Sequence, residues 1–399
     1  MSAATGIVPG PAPLDSVSLT LDQKPVSYFG VGRVVETGAI VAGLGASSAV
    51  IVTDPFLAAS PVVAAVRSSL EAAGVTVAVY GSVTPNPTTQ NLDEGSDLAA
   101  SIAAEVVVSV GGGSSLDAAK GIALGAVNPE RGVALDYSTP FAHAALPIVA
   151  VPTTAGTGAE VNAFGVVTDP AAQRKFYVGH ESALARAAVL DPALTVGLPP
   201  NATAATGFDA LTHALESYLS VRANPYSDAI ALQVIASVHT HLPRAVADGS
   251  DLESRAELLL ASHIAGVGFS HTGLGLVHGI AHPLGGRFNI PHGLALAIVM
   301  GGVLELNRPH REARLARVAF ALDVGDTAAS DATNADAAQR EIASFAQRLG
   351  LVGPLARFGV TDGDLERLAA DTLVDAVTAN NPVQPTAAEI VAILRGVLA

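Results

Sequence analysis

Two hydrophobic rhythms divide the chain. From Val26 to about residue 195, short apolar runs alternate with amphipathic stretches. Ala49-Val-Ile-Val-Thr53, Val75-Thr-Val-Ala-Val-Tyr80, Glu105-Val-Val-Val-Ser-Val110 and Leu146-Pro-Ile-Val-Ala-Val151 are nearly continuous in apolar residues. Strands buried on both faces read that way. Between them, Pro61–Ala73 and Leu92–Ala104 keep a helical period, and Gly74 stands where a helix C-cap glycine belongs. Strand–helix alternation predicts a parallel sheet with helices on both faces. Gly165–Thr168 and Lys175–Val178 predict a hairpin.

Beyond residue 195 the period becomes helical throughout. The expected helices are Ala202–Ser220, Tyr226–Leu242, Leu252–Phe269, Gly273–Leu284, Leu294–Leu306, Arg311–Leu322, Asn334–Leu349, Asp362–Ala370 and Ala387–Leu398. The fold expectation is therefore an α/β domain with a parallel, Rossmann-like sheet over 1–195 and an all-helical domain over 196–399. Residues 1–15, rich in Pro, Gly and Ala, read as a flexible arm.

Composition narrows the function classes. Half the residues are hydrophobic, and the net charge is −15 with no basic block. That argues against nucleic acid and anionic membranes as partners. There is no cysteine, so a metal site must be built from His and carboxylate. The N-terminus lacks a basic stretch followed by an apolar core, and no apolar run is long enough to span a bilayer. The expected location is the cytoplasm.

Three stretches of the first half carry candidate chemistry. The strand ending at Val110 runs into Gly111-Gly-Gly-Ser114 and then a helical stretch, which aims backbone N–H groups and a helix dipole at one point. Gly112, Gly113 and Ser114 can so hold a pyrophosphate, although a glycine triplet can also be a plain turn. Thr153, Thr154 and Thr157 follow the next strand on a glycine-containing loop, placed to bond ribose or phosphate or to make an ordinary turn. Asp54, closing the second strand, can accept both adenosine ribose hydroxyls and repel a 2′-phosphate, or with Pro55 start a turn.

In the helical half, Asp209-Ala-Leu-Thr-His213 and His278-Gly-Ile-Ala-His282 each carry polar side chains one helical turn apart in apolar surroundings. Burying such groups without partners costs roughly 2–7 kcal/mol each. A shared cation removes that cost. The expected helix around His282 ends at Pro283 and the Gly285-Gly286 pair; His292 follows Pro291, where a new helix begins. Asp209, His213, His278 and His292 offer one carboxylate and three imidazoles, a set suited to Fe2+ or Zn2+.

These stretches resemble the iron-containing (group III) alcohol dehydrogenases. The likeness rests on Asp-Ala-Leu-Thr-His-Ala-Leu-Glu216, Gly-Leu-Gly-Leu-Val-His-Gly-Ile-Ala-His-Pro-Leu-Gly-Gly286 and Ile-Pro-His-Gly-Leu-Ala295, with the Gly-Gly-Gly-Ser loop. The resemblance implies a dehydroquinate synthase-like fold and hydride transfer between a small alcohol or aldehyde and NAD rather than NADP, with the cation as Lewis acid in the cleft between the domains. It assigns metal ligation to Asp209, His213, His278 and His292, and substrate positioning or proton relay to His282. Asn86 and Lys175 fall on the cofactor side; Phe164, Phe269 and Val377 line the substrate pocket. It also implies a homodimer or higher homo-oligomer. His239, His241, His263 and His271 are read as structural. The rivals are glycerol dehydrogenase-like polyol oxidation, a dehydroquinate synthase-like lyase, which needs a Lys/Arg cluster not seen here, and a non-catalytic binder.

Overall fold

The computed structural model describes residues 25–172 and 174–399; the arm expected over 1–15 lies outside the described residues. Contacts divide them into two units, one of residues 25–206 with 244–266, the other of Gly207–Pro243 with Val267–Ala399.

The first unit holds a six-stranded parallel sheet of β1 (Val26–Phe29), β2 (Ser48–Val52), β3 (Thr76–Tyr80), β4 (Val106–Gly111), β5 (Ile148–Pro152) and, after a hairpin, β8 (Ala187–Leu190). Its spatial order is β1-β8-β5-β4-β2-β3. The hairpin is β6 (Phe164–Asp169) paired antiparallel with β7 (Arg174–Gly179), as the sequence predicts. Helices α1 (Thr37–Gly43), α2 (Pro55–Ala58), α3 (Pro61–Ala72), α4 (Thr89–Ser101) and α5 (Gly113–Gly125) connect the strands. Alternate residues of one strand feed opposite cores: Val50 and Val52 pack with Leu92 and Ile122, Ala49 and Ile51 with Val66 and Leu70. Two buried faces explain the unbroken apolar runs.

The remaining helices are α6 (Pro200–Leu219), α7 (Pro225–Ala247), α8 (Leu252–Thr272), α9 (Leu276–Phe288), α10 (His292–Ala321), α11 (Asp331–Arg348), α12 (Leu365–Val374) and α13 (Ala387–Gly396). Several boundaries depart from expectation, as where α7 runs through Pro243 to Ala247 instead of ending at Leu242; two bear on the site. Helix α9 continues through Pro283 and both glycines and ends at Asn289, whose φ of 52° provides the left-handed cap. Every residue from Leu276 to Gly285 is buried, so packing outweighs the local breakers. Helix α10 carries a kink at Arg311 (φ −142°, ψ 21°), two residues after Pro309, so two expected helices join there. Arg311 Nε donates to Leu219 O at 3.0 Å and holds the bend.

Candidate metal centre and dinucleotide loop

In the helical unit, Asp209 and His213 leave one face of α6, His278 and His282 one face of α9, and His292 the first turn of α10. His213, His278 and His292 converge on one oxygen of Asp209. Asp209 Oδ1 lies 3.4 Å from His213 Nε2, 3.4 Å from His278 Nε2 and 3.7 Å from His292 Nε2. Asp209, His278 and His292 form a candidate metal-binding group, with ligand atoms within 4.8 Å of one another. His213 stands beside that group, its ring stacked on His278 with centroids 4.7 Å apart. Phe269 packs against the other side of His213 at 4.6 Å.

The donor set fits a divalent cation. Asp209 Oδ1 and His278 Nε2 are buried and make no hydrogen bond, a deficit that costs a protein about 1–3 kcal/mol per group unless a ligand satisfies it. Burial alone would raise the Asp209 carboxyl, but the imidazoles of His213, His292 and His278 hold it well below the usual carboxylate range. Burial alone would likewise depress His278; the carboxylates of Glu216 and Asp209 overrule it and raise the imidazole to about 9. Both shifts have one cause, carboxylates and imidazoles facing each other out of water.

Two carboxylates that the sequence reading leaves without a role stand behind the histidines of α9. Glu216 Oε2 lies 2.6 Å from His278 Nδ1, and Glu216 Oε1 accepts the Val277 N–H at 2.6 Å. Asp375 Oδ2 lies 2.7 Å from His282 Nδ1, while its Oδ1 accepts the Val377 N–H at 3.1 Å. The rings of His282 and His292 stack at 5.7 Å. Glu216 sits in the same motif as Asp209 and His213, three residues beyond His213, so its face was legible and its partner was not. Asp375 lies 93 residues from His282 and offers no such signal.

In the sheet unit, parallel register places the ends of β4 and β5 side by side. Gly111 pairs with Pro152, and the Thr153 N–H donates to Gly111 O at 2.9 Å. Helix α5 begins at Gly113 with Gly112 as N-cap and no side chain capping it, which leaves its first N–H groups for an anion. Both glycines meet the threonine loop: a Cβ on Gly112 would stand 3.1 Å from Thr154 Cγ2, and one on Gly113 2.7 Å from Thr157 Cγ2. Such a bare, tight loop fits a pyrophosphate. Ser114 lies in the first turn of α5.

Asp54 caps α2, its Oδ1 accepting the N–H groups of Phe56 (2.8 Å) and Leu57 (3.0 Å). This is the turn-starting reading of Asp54-Pro55. Lys175 Nζ donates to Asn86 Oδ1 at 3.0 Å, bringing together two residues expected at the cofactor. Asn86 adopts a left-handed φ of 55°, and burial lowers Lys175 below the usual lysine range. A second lysine was not foreseen. Buried Lys120 on α5 donates to Asn162 Oδ1 at 2.6 Å and to the Phe164 carbonyl, with Asp117 3.6 Å away. Asp117 in turn accepts the Val166 N–H at 3.0 Å, so α5 clamps the hairpin that carries Lys175. Of the expected pocket residues, Phe269 and Val377 belong to the helical unit and Phe164, edge-on to Tyr177 at 5.7 Å, to the sheet unit. Of the histidines read as structural, His263 bridges Glu160 (3.0 Å) and Ser27 (2.9 Å), His239 meets Glu341 at 2.8 Å and His271 packs edge-on against Tyr226.

A parallel nucleotide-type sheet ending in an uncapped glycine loop, and a buried carboxylate–imidazole cluster, are the parts of a metal-dependent dehydrogenase. The comparisons agree. Residues 25–192 match the model of iron-containing alcohol dehydrogenases, and residues 203–398 match that of the C-terminal part of the same family. The chain belongs to the iron-containing alcohol dehydrogenase family and is an oxidoreductase. It is 36% identical to an NAD-dependent methanol dehydrogenase of Bacillus methanolicus over 94% of this chain and 98% of that one. It is 37% identical to a choline dehydrogenase of Bacillus subtilis over 91% of each. A crystal structure of a 1,3-propanediol oxidoreductase superposes with a TM-score of 0.90 at 34% identity, covering 94% of this chain and 98% of the other.

Proposed function

We propose that this chain is an NAD-linked, metal-dependent alcohol dehydrogenase and aldehyde reductase for small neutral primary alcohols or diols. The observation that carries it is the pair of buried atoms without hydrogen-bond partners, Asp209 Oδ1 and His278 Nε2, facing His292 and His213. In this reading Asp209, His213, His278 and His292 hold Fe2+ or Zn2+. When bound, the cation supplies Lewis acidity toward the substrate oxygen, and the nicotinamide exchanges the hydride.

The chain's own residues do the rest. His282, its Nδ1 held by Asp375, keeps Nε2 as the atom that takes the hydroxyl proton on oxidation and returns it on reduction. Phe269 and Val377 give the substrate an apolar wall that favours neutral over anionic substrates; Phe164 is the third pocket residue by resemblance. The backbone of Gly112, Gly113 and Ser114 receives the pyrophosphate at the start of α5, with Thr153, Thr154 and Thr157 beside it. Lys175 and Asn86 form one hydrogen-bonded unit on the cofactor side, and Asp54 selects NAD over NADP.

No helix among the described residues is long and apolar enough to cross a membrane. A cytoplasmic location belongs to the proposal, supported by the dependence on a dinucleotide supply. So does a homodimer or larger assembly, supported by exposed Val26, Val31 and Val35 in the sheet unit. The deciding experiment follows NADH with a panel of alcohols and aldehydes, using protein reconstituted with Fe2+ or Zn2+. Metal-dependent NADH formation from simple primary alcohols is expected. A protein that binds NAD and metal but turns over none of them refutes the activity.

A further inference from the structure

The Glu216 carboxylate does two jobs at once in the fold, and they can be separated. Its Oε1 accepts the backbone N–H of Val277 at 2.6 Å, at the start of α9, where Gly275 supplies no side-chain cap. Its Oε2 reaches His278 Nδ1 at 2.6 Å. Both partners are buried, Glu216 at 7% exposure and His278 at 1%. A carboxylate accepts only, so the hydrogen bond of this pair needs a proton on Nδ1. In the neutral ring that proton leaves the lone pair on Nε2, which is buried, without a hydrogen-bond partner and 3.4 Å from Asp209 Oδ1.

We infer that Glu216 is a positioning residue of the metal centre. It fixes the imidazole of His278 in the Nδ1–H tautomer and holds Nε2 as the ligand atom. The inference rests on the proposed metal site and adds a residue to it. The physics is that of a carboxylate behind a ligating histidine, which sets ring orientation and raises donor strength; loss of such a partner costs 10–100-fold in metal affinity. Glu216 also keeps a negative charge beside the site, on the far side of the ligand ring from Asp209. A cap alone would need neither that charge nor the bond to Nδ1.

Glu216→Gln separates the two jobs. The amide oxygen can still accept the Val277 N–H, while the amide nitrogen then faces Nδ1 as a donor and favours the tautomer with Nε2 protonated. The experiment measures Zn2+ affinity of the loaded parent and variant by competition with a chromogenic chelator, with NADH binding and Tm as controls. A 10- to 100-fold loss of Zn2+ affinity in Glu216→Gln is expected, with NADH affinity and Tm close to the parent. Zn2+ affinity within threefold of the parent in Glu216→Gln alone overturns the inference and leaves Glu216 a helix cap. A parent that binds no Zn2+ overturns the metal site and this inference together. Should the variant fail to fold, histidine-selective 15N NMR of the Zn2+-loaded parent decides: His278 must show a protonated Nδ1 and a metal-bound Nε2, and the reverse assignment overturns the proposal.

Discussion

Replacing Asp54 by Ser should change the choice of dinucleotide without unfolding α2. Asp54 closes β2 and caps α2 through Oδ1, accepting the N–H groups of Phe56 and Leu57 at 2.8 and 3.0 Å. Loss of an N-cap costs about 0.5–2 kcal/mol, but Ser caps nearly as well as Asp. Asp54→Ser therefore keeps the local structure and removes only the charge and one ribose acceptor. Asp54→Ala removes both, and the comparison of the two isolates the cap.

The electrostatic part follows from Coulomb's law for a carboxylate placed beside a bound 2′-phosphate. A carboxylate about 4 Å from a 2′-phosphate repels it by about 4 kcal/mol per unit charge at an effective dielectric of about 20. Asp54 is half-buried, so solvent screening leaves roughly 1.5–3 kcal/mol. At 1.4 kcal/mol per factor of ten, NADP use relative to NAD should rise roughly ten- to hundredfold in Asp54→Ser. The assay is the ratio of kcat/KM for the two cofactors, with Tm taken in parallel. Tm should drop in Asp54→Ala and stay near the parent in Asp54→Ser. An unchanged cofactor ratio in a variant of normal Tm refutes the reasoning: the carboxylate would be a cap and nothing more.

Three other outcomes are expected. His278→Ala or His292→Ala should release the metal and most activity while NADH still binds; metal content equal to the parent would exclude the altered residue as a ligand. Gly113→Ala puts a Cβ 2.7 Å from Thr157 Cγ2, so the threonine loop must shift and NADH affinity should fall about tenfold, near 1.4 kcal/mol; an unaltered dissociation constant reduces the loop to a turn. Asp375→Asn keeps the oxygen that caps Val377 but exchanges the charged acceptor of His282 Nδ1 for an amide, a loss of about 1.5–3 kcal/mol, so kcat should drop at least tenfold with metal content unchanged. A kcat within twofold of the parent would remove His282 from proton transfer or Asp375 from its support.

What could be read in advance depended on how local the physics was. The strands were legible because both faces of the sheet are buried, as Ala49 and Ile51 on one side and Val50 and Val52 on the other show. Helix α9 was misread at its end because Pro283 and two glycines speak for local propensity, while complete burial from Leu276 to Gly285 is a tertiary fact. Lys120 was passed over for the same reason. Its Asp117 partner, three residues earlier, was in view, but the Asn162 and Phe164 oxygens that hold it come from another segment.

The metal cluster marks the boundary between the two kinds of information. Polar residues four apart in apolar helices announce that something must compensate their burial, and the helical period alone aims them together. The identity of the compensating groups is settled in three dimensions, where Glu216 and Asp375 arrive from α6 and from the turn after α12 to take the Nδ1 sides of two rings on α9. One buried carboxylate, Asp209, then remains opposite the Nε2 side of three imidazoles. With the Nδ1 side of His278 already satisfied by protein, its Nε2 and Asp209 Oδ1 are the atoms left over, so the hydrogen-bond arrangement itself points to where a cation belongs.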